Sequence, residues 1–187
     1  MPSNADPPNS STDTKLSFLK DDLYDALRWL FVSAVTWEAM REKPDLCTAN
    51  QDAISMLASL TQSRALYEFF FANNSKGDDA RASHFAPLWK PAQTSLYTTY
   101  MAPGKPTNKR VSHLVYNRSA HSGGSAANES DHLKNQVLKI AKDIRDLTEQ
   151  FGNMADANFR DLIRAALESA LEQARFTADR YGIDNPV

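Results

Sequence analysis

Residues 133–154 read LKNQVLKIAKDIRDLTEQFGNM, and the spacing of their apolar positions decides the fold class. Leu133, Val137, Ile140, Ile144, Leu147, Phe151 and Met154 recur at steps of four and three over three heptads, a coiled-coil-like stripe along one side of an α-helix. A second series, Phe159, Leu162, Ile163, Ala166, Ala170, Leu171 and Ala174, carries the helical pattern on to about Tyr181. Gly152-Asn153 lies between the two series, and the reading adopted is a helical hairpin closed there with Gly152 at the C-cap. The alternative, one continuous helix of about fifty residues, would protrude some 75 Å. The small, Ala-rich face of the last helix suits close helix packing, within a bundle or across a dimer.

Upstream, His121 to Asn128 reads HSGGSAAN, the composition of a flexible linker, so residues 121–129 are expected to separate a helical core (15–120) from a helical extension (130–181). The extension would pack on the core or on a second subunit. Residues 1–14 are rich in Pro, Ser, Asn and Asp and are expected to form a disordered tail. From Lys15 to Glu42 the positions Leu16, Leu19, Leu23, Leu27, Leu30, Ala34, Trp37 and Met40 predict one long amphipathic helix, ended by Lys43-Pro44. Thr48 to Gln51 has the form of a capping box and starts a second helix to about Asn73, with a core face of Ala53, Leu57, Leu60, Arg64, Tyr67 and Phe71. Arg64 thus falls where the spacing calls for a hydrophobe. Either Glu68, one turn on, pairs with it at the edge of the core, or Arg64 points into a polar pocket.

Asn73 to Gly77 is a turn cluster, after which Asp78-Asp79 could cap a short helix leading to Phe85. Pro87 and Pro91 flank Trp89 as a rigid elbow, and residues 92–101 form another short helix, broken by MAPGKP at 101–106. Asp78, Asp79 and His84 match no metal-ligand spacing, and neither a metal nor a cofactor is called for.

The segment 107–119, TNKRVSHLVYNRS, concentrates Asn108, Lys109, Arg110, His113, Tyr116, Asn117 and Arg118 on a predicted helix of about three turns. At about 100° per residue, Val111, Leu114, Val115 and Arg118 share one arc, while Lys109, His113, Tyr116 and Asn117 lie opposite. His113 and Arg118 are therefore roughly 140° apart. The candidate binding residues are Arg64, Glu68, Asn108, Lys109, His113, Tyr116 and Arg118, with His113 the candidate acid–base group.

The string Asn108-Lys109-x-x-Ser112-His113-Leu114-x-Tyr116-x-Arg118, with Arg64-x-Leu66-x-Glu68-Phe69-Phe70, Asp78-Asp79 and Trp89 before it, resembles an uncharacterised family of all-helical bacterial proteins. Their pattern runs Arg-x-Leu-x-x-Phe-Phe, then Asp-Asp, then Asn-Lys-x-x-Ala-His-Leu-Thr-x-x-Arg. Here Ser112 stands for the usual Ala and Val115 for the usual Thr. The resemblance covers residues 50–120 and implies a helical fold and a place to look, with no activity attached. The nearest mechanistic likeness is to HEPN ribonucleases, in which Arg is followed four to six residues later by His on one helix. This sequence departs from that order, since Arg81–His84, Arg110–His113 and Arg118–His121 each leave two residues between. Other templates fail on chemistry: Gly123-Gly124 follows no strand, no His-Glu-x-x-His is present, and Ser112 and His113 diverge by about 100° on a helix.

With 21 Lys plus Arg against 23 Asp plus Glu, the formal net charge is -2, which supplies no field to draw the chain to nucleic acid or a membrane surface. No apolar run approaches the roughly 20 residues of a span, and the N-terminus lacks signal-peptide order. The single Cys47 cannot form an intramolecular disulfide and is expected to be inert. Sequons at Asn9, Asn73, Asn117 and Asn128 are then chance. The expectation is an all-α, cytoplasmic antiparallel helical bundle that binds or assembles, with self-association through 133–154 and 159–174. The alternative is a HEPN-like ribonuclease or another phosphate-handling enzyme.

Overall fold

A computed structural model describes residues 11–46, 51–72, 80–102, 135–184 and 186–187. The described residues are helical and without strands, and five helices pack against one another as an all-α bundle. The first, α1 (Thr12–Phe18), starts earlier than the expected Lys15 because Ser11 Oγ accepts the Thr14 N–H at 3.2 Å. Apolar periodicity is blind to such a cap. A π turn, Leu19–Leu23, joins α1 to α2 (Tyr24–Glu42) without a break. Leu19, Leu23 and Leu27 are spaced by fours, and each four-residue step overshoots an α-helical turn by about 40°. The wider turn takes up that drift. All three leucines consequently stay in the core, at most 1% exposed.

After Lys43 the chain makes a short 3-10 turn, Pro44–Leu46, and α3 (Gln51–Phe71) runs back along α2. Small buried residues, Ser33, Ser59 and Ser63, lie on these two helices, and Ser63 Oγ donates to the Ser59 carbonyl at 2.7 Å. The Phe69 ring lies 5.5 Å from that of Phe18, so α2 and α3 are antiparallel. A 3-10 turn at Ala82–His84 and a π turn at Tyr97–Met101 follow, the latter inside the expected 92–101 helix.

The hairpin closes at Ala155-Asp156, between α4 (Val137–Met154) and α5 (Ala157–Tyr181), and not at Gly152-Asn153. Gly152 is buried inside α4, where a Cβ would stand 3.3 Å from Ile163 Cγ2 and 3.7 Å from Arg164 Cγ. Its role is close helix approach, and the chain turns two residues after Asn153 once α4 has passed Ile163. The left-handed C-cap glycine is Gly182, φ 63°, at the end of α5, where Ile183 N–H reaches the Ala178 carbonyl at 3.1 Å. Lys43 Nζ donates to the Tyr181 and Gly182 carbonyls, both at 2.8 Å, so the ends of α2 and α5 coincide and these helices run parallel.

The C-terminal hairpin packs along α2 and α3 of its own chain. Val137, Ile140, Ile144, Leu147 and Phe151 are at most 3% exposed, while Met154 emerges at the hairpin end. Leu133 lies outside the described residues. Phe151 is the meeting point: its ring centroid lies 5.4 Å from Phe69, 5.9 Å from Phe70, 6.3 Å from Phe85 and 5.5 Å from Trp89. Trp89 Nε1 donates to the Phe70 carbonyl at 3.0 Å, which holds the Pro87–Pro91 elbow against α3.

Gly152→Leu is expected to lower the urea midpoint, by ~1–3 kcal/mol of stability. Adding Ile163→Ala to the same chain should restore part of that loss, because it vacates the space the new side chain enters.

Candidate functional site

Of the residues singled out by sequence, Asn108, Lys109, His113, Tyr116 and Arg118 lie outside the described residues, as do Cys47, Asp78 and Asp79. Arg64 and Glu68 are described, and Arg64 Nε donates to Glu68 Oε1 at 2.8 Å. Their side chains are 26% and 53% exposed, so Arg64 sits at the rim of α3 and not within its apolar stripe. Of the expected face, Leu60, Tyr67 and Phe71 are buried and Leu57 is exposed, while Ser59, Ser63, Leu66, Phe69 and Phe70 are buried as well. The Ser63 hydroxyl can be buried because it bonds back to the Ser59 carbonyl of its own helix. A pair as exposed as Arg64–Glu68 contributes about 0.2–0.5 kcal/mol.

The buried polar chemistry lies elsewhere. Tyr67 Oη donates to Asp143 Oδ2 at 2.6 Å, and Thr94 Oγ1 donates to the same oxygen at 2.6 Å. Thr94 Oγ1 also accepts the Tyr97 N–H at 3.2 Å, capping the helical turn that ends in Tyr97–Met101. One carboxylate therefore ties α3, α4 and the 94–101 segment together. Both contacts have the short O–H···O⁻ length of charge-assisted bonds. Tyr67 is fully buried, and its phenol is pushed far above the ordinary value, first by burial and then by the hydrogen bond and negative charge of Asp143. Tyr97, ring centroid 5.5 Å from Tyr67, is raised by burial and by the charge of Glu68, and Tyr100 is raised by burial.

Chemically this is a closed arrangement. A phenol held protonated is neither base nor nucleophile near neutral pH, and Asp143 Oδ2 already receives two protons' worth of hydrogen bonding. The one histidine among the described residues, His84, sits in the 3-10 turn, with its carbonyl accepting from Lys15 Nζ at 3.1 Å. Among the described residues no group of three His, Cys, Asp or Glu is placed to hold a metal ion, and no helix is long and apolar enough to cross a membrane.

Sequence reasoning put Tyr67 on the core face but passed over its partners, which are 76 and 27 residues away in the chain. The available signals were a buried phenol that needs an acceptor and Asp143 set between Ile140 and Ile144 of the buried stripe. Comparison with protein-family models, with curated proteins and with solved structures returns no match.

Because the folded protein keeps the Tyr67 proton that the unfolded chain releases above about pH 10, stability is full below that pH and falls as pH rises past it. Urea midpoints measured on both sides of pH 10 should show this fall. Tyr67→Phe is expected to lessen it, while costing ~1–3 kcal/mol at neutral pH through the lost bond to Asp143.

Proposed function

We propose that the chain is a helical binding and assembly protein that works through its surface, with a polar site around the 107–118 segment. The observation that carries this reading is the commitment of the Tyr67 and Thr94 hydroxyls to one and the same Asp143 oxygen. Surface side chains of the kind that dominate binding energy stand on the outside, although the Arg28 guanidinium also pairs with Asp25 at 3.0 Å. Trp29 is half exposed with the Arg28 guanidinium 5.1 Å from its ring centroid and 5.6 Å from that of Tyr24, and Phe176 and Leu88 stand out to solvent. Trp, Tyr and Arg are the residues enriched at binding hot spots. On this reading the protein belongs in the cytoplasm, with Cys47 a free thiol, and the sequence resemblance to all-helical bacterial proteins adds a fold type and no reaction.

A second reading, a HEPN-like ribonuclease or other phosphate-handling enzyme, is supported by the gathering of His113 with Lys109, Arg110 and Arg118 in one short segment. Arg64, the further cation it could enlist, is held by Glu68.

Light scattering over a wide concentration range is expected to give a mass rising above the 20.9 kDa monomer. A mass fixed at the monomer throughout would remove the assembly reading. For the second reading, RNA cleavage must be present and must vanish in His113→Ala; cleavage that survives the substitution excludes His113 chemistry.

A further inference from the structure

We infer that the solvent face of α4 is a docking surface for a second copy of this chain, paired antiparallel through complementary charge; this deepens the assembly reading and rests on it. Asn135, Lys139, Lys142, Asp146, Glu149 and Asn153 are all exposed. Their steps of four and three hold them within an arc of roughly 80°, on the side of the helix away from the buried Val137, Ile140, Ile144 and Phe151. Along that arc two lysines come first and two acids follow.

The order is the reverse of what the helix itself favours. A helix dipole is stabilised by acids near its N-terminus and bases near its C-terminus, yet α4 has no acid in its first turn and no base in its last, while Lys139 lies near its start. The neighbouring α2 follows the rule, with Asp25 in its first turn and Arg41 in its last. Nor do ion pairs within the chain account for the order. Asp146 is held by its neighbour Arg145, at 2.8 Å, and among the described residues none of Lys139, Lys142 and Glu149 enters an ion pair.

A second α4 laid antiparallel, with a two-fold axis at Ile144, explains the order. Lys139 and Glu149 lie equally far from Ile144, as do Lys142 and Asp146, and as do Asn135 and Asn153. The lysines of each helix then face the acids of the other. Parallel pairing would set lysine on lysine and acid on acid, so the charge pattern selects the closed, isologous arrangement. Exposed ion pairs are individually weak and screened by salt, so the dimer is weak and sensitive to ionic strength.

Sedimentation equilibrium of the full chain at about 50 and about 500 mM salt should show association at least tenfold weaker at the higher concentration. Lys139→Glu with Lys142→Glu should give a monomer at both, with a thermal midpoint equal to or above that of the unmodified chain because the new acids suit the dipole. Asp146→Lys with Glu149→Lys should also be monomeric alone. Mixing the two double variants should produce a heterodimer, and one chain carrying all four substitutions should dimerise again. Association that persists in both double variants, or failure of the mixture to pair, overturns the α4 face and leaves the assembly reading standing. An unmodified chain that is monomeric at every concentration and salt overturns both.

Discussion

The bundle depends on the ring of Phe151. It is fully buried in α4 and meets Phe69 and Phe70 from α3, Phe85 from the turn after it, and Trp89 from the proline-flanked elbow. Phe85 in turn stacks on Phe18 and contacts Phe159, which brings in α1 and α5. Edge-to-face and offset contacts of this kind each add about 0.5–1.5 kcal/mol beyond the area they bury. Among the described residues, rings from α1, α3, α4 and α5 join this cluster, and α4 and α5 pack on α2 and α3, so removing them would expose the inner faces of α2 and α3. The C-terminal hairpin is a structural half of the core, and the heptad stripe that suggests a coiled coil is consumed within one chain.

Around that centre, the approach distances of the helices are set by small residues. Ser33 of α2 and Ser59 and Ser63 of α3 are buried small residues, and Gly152 lets α4 come up to Ile163 of α5. Close approach leaves little room for adjustment, which is why a π turn appears between α1 and α2: without it the leucine stripe drifts out of register with the faces it must meet. The Asp143 carboxylate belongs to the same economy of fit. It receives two hydroxyl donors from elements that would otherwise bury their O–H groups unsatisfied, and it fixes the position of the 94–101 segment against α3.

Helical class and most helix ranges are legible in the sequence because apolar spacing reports a face directly. Val137, Ile140, Ile144, Leu147 and Phe151 need nothing more than their numbers to be assigned to the core. What spacing cannot report is which of two residues one position apart faces a neighbour. Ser63 is buried and Leu57 exposed, the reverse of their hydropathy, because burial is decided by the helices packed around α3 and not by α3 alone. Gly152 misleads for a similar reason: a glycine near a break in periodicity reads as a cap, whereas a tight crossing with Ile163 requires it three residues before the actual C-cap, Ala155. The Arg64–Glu68 pair is local, four residues apart, and was readable as such. Tyr67, Thr94 and Asp143 are brought together by tertiary packing, so only the unmet hydrogen-bonding need of a buried phenol hinted at them.

The two kinds of charge in α4 divide the helix by function. Asp143 is turned to the hydroxyls of Tyr67 and Thr94, and its Oδ2 accepts from both. Lys139, Lys142 and Glu149 face solvent, make no ion pair among the described residues, and stand in an order that the helix dipole opposes. On the dimer we infer, that order is met by the opposite charges of a second copy. The repeat of steps four and three on the exposed side matches the repeat on the buried side, so the same helix can present one straight apolar edge to its own core and one straight charged edge to a partner of equal length and opposite direction.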